Sequence, residues 1–254
     1  MLKPLSQVFI GCAGWSIPAL HAGHFPATGS HLERYAARFP AVEINSSFYR
    51  PHRPQTYAKW AAAVPDHFRF AVKVPRVITH EQRLRDASEP LDRFLGEVGE
   101  LGAKLGPLLV QLPPSLAFDK AIAGAFFTSL RERYAGYVVC EPRHRSWFTP
   151  DAEELLGAFQ VARVAADPDV VPRAGVLGGW SGLAYFRLHG SPTIYYSAYS
   201  SEFLRALSNT LRECAARSVP TWCIFDNTAE GAATANALDV WEHLLSVAND
   251  GQPC

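Results

Sequence analysis

The stretch that decides the fold is residues 41–51, AVEINSSFYRP. Apolar β-branched residues alternate with polar Glu43 and Asn45, which predicts a strand over residues 42–49. A carboxylate and an amide would then share one face of that strand. A solvated edge strand and the floor of a binding site fit these residues equally well, so the flanking sequence has to decide between them.

Strand and helix patterns alternate along the rest of the chain. Further apolar runs predict strands at residues 8–15, 68–74, 108–112, 137–143, 161–166, 183–189 and 222–227. Apolar stripes at helical spacing lie between most of them, and Ser30 with Glu33 forms a capping box at the start of one helix. Residues 168–182 contain glycine and proline but no helical stripe. This alternation predicts a parallel sheet with right-handed crossovers.

Eight strand–helix units in 254 residues are typical of a closed (β/α)8 barrel. The predicted fold is therefore a single TIM-like barrel domain over residues 1–254, with no regular helix after the sixth strand. An open doubly wound sheet is the alternative, but the sequence contains neither GxGxxG nor a phosphate-binding loop. Helices cover the outside of a barrel, so Glu43 and Asn45 are expected to point inward.

The composition narrows the class of protein. The net charge is zero, which does not favour nucleic acid as a partner. Five scattered cysteines without a C-x-x-C pair favour reduced thiols and a cytoplasmic location over disulfides or a zinc site. No apolar run is long enough for a signal peptide or a membrane span, so no membrane association is expected. The oligomeric state is not predicted.

Polar residues gather at the C-terminal ends of the predicted strands, where a barrel has its active site. The N-terminal halves of the same strands are almost entirely apolar. The polar and aromatic residues at this end are Trp15, Glu43, Asn45, Tyr49, Lys73, Gln111, Glu141, Arg143, His144, Trp147, Asp167, Arg187, His189, Asp226 and Asn227.

Strand parity adds a second argument, because residues two apart on a strand share a face. It pairs Arg187 with His189, and it also pairs Glu43 with Asn45 and Glu141 with Arg143. Buried charges are costly unless they are paired, so the acidic and basic groups should meet. An ion network that only plugs the barrel is the structural alternative to an active site.

The residue types favour an enzyme that acts on a small anionic molecule, phosphorylated or carboxylated and sugar-like. Glu43 or Glu141 would be the general base or acid, with His189 as proton-transfer partner. Hydrolase, lyase and isomerase chemistry all remain open. The residues predicted to bind the substrate are Trp15, Asn45, Tyr49, Lys73, Gln111, Arg143, His144, Trp147, Arg187 and Asn227, with Lys73, Arg143 and Arg187 holding the anion.

Two other functions are kept as alternatives. A divalent-metal phosphodiesterase or sugar isomerase could draw ligands from Glu43, Glu141, Asp167, His189 and Asp226. The sequence has no HExxH motif, and positive groups crowd the same end, so a site without metal or other cofactor is favoured. The other alternative is a non-catalytic module that binds nucleic acid or another polyanion.

Several motifs together resemble one family over nearly the whole chain. They are IGCAGWSI, VEINSSFYRP, THEQRL, KLGPLLVQLPPS, EPRHRSW, YFRLHG, and FDN followed by GAATANA. The chain resembles the domain of unknown function 72, or YecE-like, family, and the resemblance implies a TIM-like barrel without implying a reaction. Pro142 stands where the family typically has a large apolar residue, so pairing of the fifth strand should end early. Asp226 stands where the family usually has asparagine, which adds an acid or ligand.

Overall fold

The computed structural model describes residues 7–169 and 171–250. The strands are β1 (Val8–Cys12), β2 (Ala41–Ile44), β3 (Arg69–Lys73), β4 (Leu105–Gln111), β5 (Val138–Glu141), β6 (Val161–Arg163), β7 (Ala165–Asp167), β8 (Gly178–Gly179), β9 (Ala184–Leu188) and β10 (Thr221–Phe225). The α-helices are α1 (His31–Ala36), α2 (Ser46–Tyr49), α3 (Pro54–Ala62), α4 (Ser88–Val98), α5 (Lys120–Arg133), α6 (Pro150–Ala158), α7 (Ser201–Ala216) and α8 (Ala232–Asp250). Shorter helical turns cover Ala19–His24, Val77–Glu81, Gly99–Lys104 and Arg145–Phe148.

The strands form two sheets, ordered β1-β10-β9-β7 and β2-β3-β4-β5-β6-β8. The neighbours are parallel apart from β6 and β8, which are antiparallel. The predicted alternation of parallel strands and helices is confirmed, but the ladders do not join into the single closed sheet that was expected. The sheets touch where an isolated parallel bridge pairs Ala13 with Glu43. They also touch where the chain passes from β6 to β7 through Val164.

The strand predicted over residues 42–49 is wrong beyond Ile44. Asn45 has helical dihedral angles, φ −93° and ψ −20°, and α2 follows at once. The Ser47 hydroxyl lies 2.7 Å from the carbonyl oxygen of Lys73 and 3.1 Å from that of Ile44. Serine side chains that bond to nearby backbone groups compete with strand pairing. The chain therefore turns at the top of β2, directly beside the end of β3.

Three other predictions concern single elements. The capping box of α1 is confirmed, with Glu33 N 3.3 Å from Ser30 Oγ and Ser30 N 2.7 Å from a Glu33 carboxylate oxygen. The fifth strand ends at Glu141, as Pro142 predicts. The predicted strand over 161–166 is divided into β6 and β7, because β6 and the amide of Val164 bond to β5, whereas β7 pairs with β9.

The core contains two clusters of buried apolar residues. The larger one fills the space between strands and helices. The smaller one, here called the inner cluster, draws buried residues from both sheets, including Ala41, Ala71, Val139 and Tyr185. Two positions further along the same four strands stand Glu43, Lys73, Glu141 and Arg187. Because residues two apart share a face, a charged layer lies directly on the inner cluster.

Two further predictions concern reduced cysteine thiols and the absence of a membrane span. Cys12, Cys140, Cys214 and Cys223 are buried and unpaired, whereas Cys254 and the N-terminal residues 1–6 lie outside the described residues. In the ranges that the structure covers, no helix is both long enough and apolar enough to cross a membrane.

Candidate active site

Arg187 is the centre of the charged layer. Its Nε lies 3.0 Å and its Nη2 2.7 Å from the carboxylate oxygens of Glu43. Its Nη1 is 3.0 Å from Glu141 Oε2, and its Nη2 is 3.0 Å from Asp226 Oδ2. Burial alone would lower the pKa of this guanidinium, but the three carboxylates hold that pKa well above its usual value. Arg187 is therefore a buried cation that joins strands β2, β5, β9 and the end of β10.

His189 lies between two carboxylates. Its Nδ1 is 2.9 Å from Asp226 Oδ2, and its Nε2 is 3.1 Å from Glu141 Oε1. Arg143 Nη2 lies 2.7 Å from the same Nε2 and also contacts Glu141. A guanidinium only donates and a carboxylate only accepts, so Nε2 donates to Glu141 in the imidazolium form and accepts from Arg143 in the neutral form, the tautomer with its proton on Nδ1, which is donated to Asp226. In that tautomer, His189 is oriented by a carboxylate and has a basic nitrogen on its other side.

The carboxylates next to His189 are held in the ionised form. Burial would raise the pKa of Glu141, but Arg143 and Arg187 hold it well below its usual value. Burial also raises the pKa of Asp226, but Arg187 and the hydrogen bond from His189 bring that pKa below its usual value. Both groups therefore act near neutral pH as negatively charged hydrogen-bond acceptors rather than as proton donors.

Glu43 is completely buried and has all its contacts inside the network. In addition to Arg187, it accepts a hydrogen bond of 2.8 Å from the Tyr185 hydroxyl. These contacts are those of a residue that holds Arg187 in place. The catalytic role predicted for Glu43 stays a prediction.

Lys73 differs from the arginines of the site. Its Nζ lies 4.1 Å from the centre of the Phe48 ring, and within the described residues it has neither a hydrogen bond nor an ion pair. The side chain is only 6% exposed. Burial and the positive charge of Arg187 lower the Lys73 pKa to about 8, although the nearby carboxylates act to raise it.

Several polar atoms at the site have unused bonding capacity. Asn45 Nδ2 is 3.4 Å from Asp226 Oδ1, while its Oδ1 is buried and lacks a partner in the part of the chain described. The same holds for Arg143 Nε and Asn227 Oδ1. Asn227 Nδ2 is bonded to Ser197 and Asn236 at 2.9 Å each. Buried polar atoms normally have partners, so a bound molecule could supply them.

The three aromatic residues predicted to bind the substrate make their contacts outside the ion network. Trp147 is 1% exposed and donates its indole N–H to Leu116 at 2.9 Å, as a core residue does. Tyr49 is 75% exposed and lines a separate groove of about 450 Å³ whose lining contains no member of the network. Trp15 is half-buried and packs edge-on against Trp60, with 5.0 Å between the ring centres.

Two further predicted residues have contacts of other kinds. Gln111 is half-buried at the end of β4, where its backbone is in register with Glu141. His144 is half-buried, and its Nδ1 lies 2.8 Å from the Ser146 hydroxyl within the turn that leads to Arg145–Phe148. Gln111 therefore lies beside the network, whereas the side-chain contacts of His144, with the hydroxyl and the amide of Ser146, are local.

Sequence reasoning missed Tyr185, Phe48 and Tyr195. Tyr185 could have been found, because it lies two positions before Arg187 and shares its face of β9. Tyr195 follows β9 in an irregular loop, and its ring centre is 6.0 Å from that of His189. Neither a motif nor a period in the sequence indicates that contact.

The residues predicted as metal ligands have other partners in the structure. Among the residues it describes, no group of three or more histidine, cysteine, aspartate or glutamate side chains is arranged to hold a metal ion. Glu141, His189 and Asp226 bond instead to one another and to arginines.

Comparison with known proteins identifies a family. A family model described as "Protein of unknown function DUF72" matches residues 9–252. UPF0759 protein YecE of Escherichia coli (strain K12) is 30% identical over 149 residues, which are 58% of this chain and 53% of that protein. UPF0759 protein YunF of Bacillus subtilis (strain 168) is 30% identical over 167 residues, 61% of this chain and 57% of that protein. The chain thus spans little more than half the length of these curated relatives.

Solved structures agree with this match. A DUF72 family protein from Enterococcus faecalis V583 has a TM-score of 0.79 and 23% identity, with 94% of this chain and 95% of that chain covered. A DUF72 family protein from Thermotoga maritima MSB8 has a TM-score of 0.77 and 26% identity, with 94% and 99% covered. The family model covers nearly all of the sequence and the folds agree, so this chain belongs to the DUF72 family.

Proposed function

We propose that this protein is an enzyme that uses general acid–base chemistry on a small anionic, sugar-like substrate, phosphorylated or carboxylated. The observation that carries the proposal is the position of His189, with Nδ1 2.9 Å from Asp226 and Nε2 near Arg143 and Glu141. A histidine oriented by a carboxylate through one nitrogen can use the other as a base.

We also infer that the two sheets are arcs of one TIM-like barrel in a single domain. Three observations support this: the Ala13–Glu43 bridge, the continuous chain from β6 to β7, and the inner cluster that both sheets share. In such a barrel the ion network would stand at the C-terminal mouth, which is where TIM barrels carry their active sites.

The charges at this end favour an anionic substrate of low charge. Glu43, Glu141 and Asp226 carry three negative charges, and Arg143, Arg187 and protonated Lys73 carry three positive ones. Arg187 is enclosed by all three carboxylates. The cations with free capacity are Lys73, which has no ion pair in the described ranges, and Arg143, whose Nε has no partner there. These two groups would hold the anion.

The proposed proton transfer begins when the anion draws the Arg143 guanidinium away from His189 Nε2. His189 then takes a proton from the substrate at Nε2. The imidazolium that forms donates to Asp226 through Nδ1 and to Glu141 through Nε2, and both acceptors are already within hydrogen-bond distance. Negative charge that develops on the substrate faces Lys73 and Arg143. Hydrolases, lyases and isomerases all use a step of this kind.

Turnover of a panel of phosphorylated and carboxylated sugars, followed by NMR, tests the proposal. A converted compound should lose about 100-fold or more in rate with Glu141→Gln, because the variant removes the negative charge that stabilises the imidazolium at Nε2. Glu132→Gln is the matched control, since Glu132 is exposed on α5. Equal rates for wild type and Glu141→Gln, with both proteins folded, would refute the proposed chemistry.

A further inference from the structure

Lys73 is a buried lysine whose amino group makes no polar contact within the described ranges. The contrast with Lys104 is clear, because Lys104 Nζ donates to the carbonyl oxygens of Ala61 and Val64 at 2.8 Å and 2.6 Å. Lys59 and Lys120 are exposed. Of these four lysines, Lys73 is the one that is buried and whose amino group donates no hydrogen bond within the described residues.

The surroundings of Lys73 suit a nucleophile better than a simple anion holder. An amine attacks only in its neutral form, and burial lowers the Lys73 pKa to about 8, so part of the population is neutral at physiological pH. The position at the end of β3, next to the turn at Asn45, places Nζ in the same charged layer as Glu43 and Arg187. The face of the Phe48 ring at 4.1 Å stabilises a cation at this nitrogen.

We propose that Lys73 Nζ forms an imine with the carbonyl carbon of the substrate, which is then an aldehyde or ketone that also bears an anionic group. This inference rests on the proposed function and deepens it by naming the substrate class. It assigns Lys73 a covalent role and leaves Arg143 to hold the anionic group.

The step balances without an oxidant or reductant. The lone pair of Nζ forms a bond to the carbonyl carbon, and a proton passes from the nitrogen to the carbonyl oxygen to give a neutral carbinolamine. A second proton on that oxygen lets water leave, and the nitrogen lone pair forms the C=N bond. The product is an iminium cation, so the three carboxylates of the layer remain balanced by three positive charges. An iminium also acidifies the adjacent C–H, which is the proton that His189 would remove.

Reductive trapping with glyoxylate tests the inference on the folded full-length chain. Glyoxylate is a small aldehyde with a carboxylate, and cyanoborohydride reduces its imine to a stable carboxymethyl-lysine that peptide mass spectrometry locates. We expect Lys73 to be modified about tenfold or more faster than Lys59 and Lys120 near neutral pH, because burial keeps part of the Lys73 amine neutral there. The rate at Lys73 should be half-maximal near pH 8. Modification of Lys59 and Lys120 with Lys73 left intact would overturn the inference.

A second variant separates this inference from the proposed function. Lys73→Arg keeps a cation but cannot form an imine, so it should abolish turnover of any carbonyl substrate found in the panel. Wild-type turnover by Lys73→Arg would refute the imine while leaving acid–base chemistry in place. Trapping requires no turnover, so preferential labelling of Lys73 in a protein with no acid–base activity would support the nucleophile and count against the proposed function.

Discussion

The carboxylate of Glu43 on β2 accepts hydrogen bonds from Arg187 on β9, so one buried ion pair ties one sheet to the other. Both side chains are almost completely shielded from water. Removing one partner from such a pair leaves an uncompensated charge in the interior. The contacts that shape the candidate site are therefore also contacts that hold the two sheets together.

Glu43→Gln should destabilise the protein by about 3 kcal/mol, because it removes a charge partner of buried Arg187. The free energy of unfolding in urea, measured by circular dichroism, checks this value. The exposed matched control, Glu132→Gln, should stay within about 0.5 kcal/mol of wild type. A loss below about 1 kcal/mol for Glu43→Gln would contradict the central place given to this ion pair.

Tyr185→Phe should cost about 1–2 kcal/mol, because it removes a hydrogen bond to a buried carboxylate. The same urea titration measures the effect. Tyr137→Phe is a suitable control, since Tyr137 is 41% exposed. If both variants were as stable as wild type, the hydroxyl of Tyr185 would not be supporting Glu43.

Lys73→Met should stabilise the protein at neutral pH, and the gain should shrink as the pH rises. The Lys73 pKa falls from 10.5 in the unfolded chain to about 8 in the folded one, so the folded state binds fewer protons between these values. Wild-type stability from this group therefore increases with pH across that window. One pKa unit corresponds to about 1.4 kcal/mol, which predicts a gain of about 3 kcal/mol for the variant below pH 8.

Urea unfolding of wild type and Lys73→Met at neutral pH and near pH 10 measures this difference. Other groups titrate in both proteins and largely cancel. A gain that stays constant with pH would mean that Lys73 is not displaced from its usual titration range.

Asp226→Asn should destabilise the protein at neutral pH by about 2 kcal/mol, and this difference should shrink as the pH falls below 3.8. The folded pKa of Asp226 lies below its usual value of 3.8. Its charge therefore stabilises the fold above that value, and the contribution is lost as the pH falls through the folded pKa. Unfolding midpoints of both proteins at neutral pH and near pH 3 provide the test, and equal differences at the two pH values would contradict it.

Sequence periodicity predicted much of the site for a physical reason. Residues two apart on a strand share a face, and parallel strands present their C-terminal ends on one side. Those two rules alone place Glu43, Glu141, Arg187 and His189 together. The same rules reach Tyr185, which was overlooked.

Other features depend on contacts that the sequence pattern does not encode. The turn at Asn45 follows from bonds of the Ser47 hydroxyl to backbone on two strands. Trp147 was a candidate ligand wall, but its indole N–H is used by Leu116 in the core. The enclosure of Arg187 by three carboxylates is set by distances between strands that are far apart in sequence.

The most direct test of the account is solvent deuterium incorporation into a converted sugar phosphate or sugar acid, compared between wild type and His189→Asn in D2O. If His189 Nε2 removes a substrate proton, the variant should lose about 100-fold or more in both exchange and turnover. His67→Asn, at an exposed position before β3, should keep wild-type values. Exchange and turnover at the wild-type rate in a folded His189→Asn protein would contradict the claim that this end of the strands is an acid–base active site.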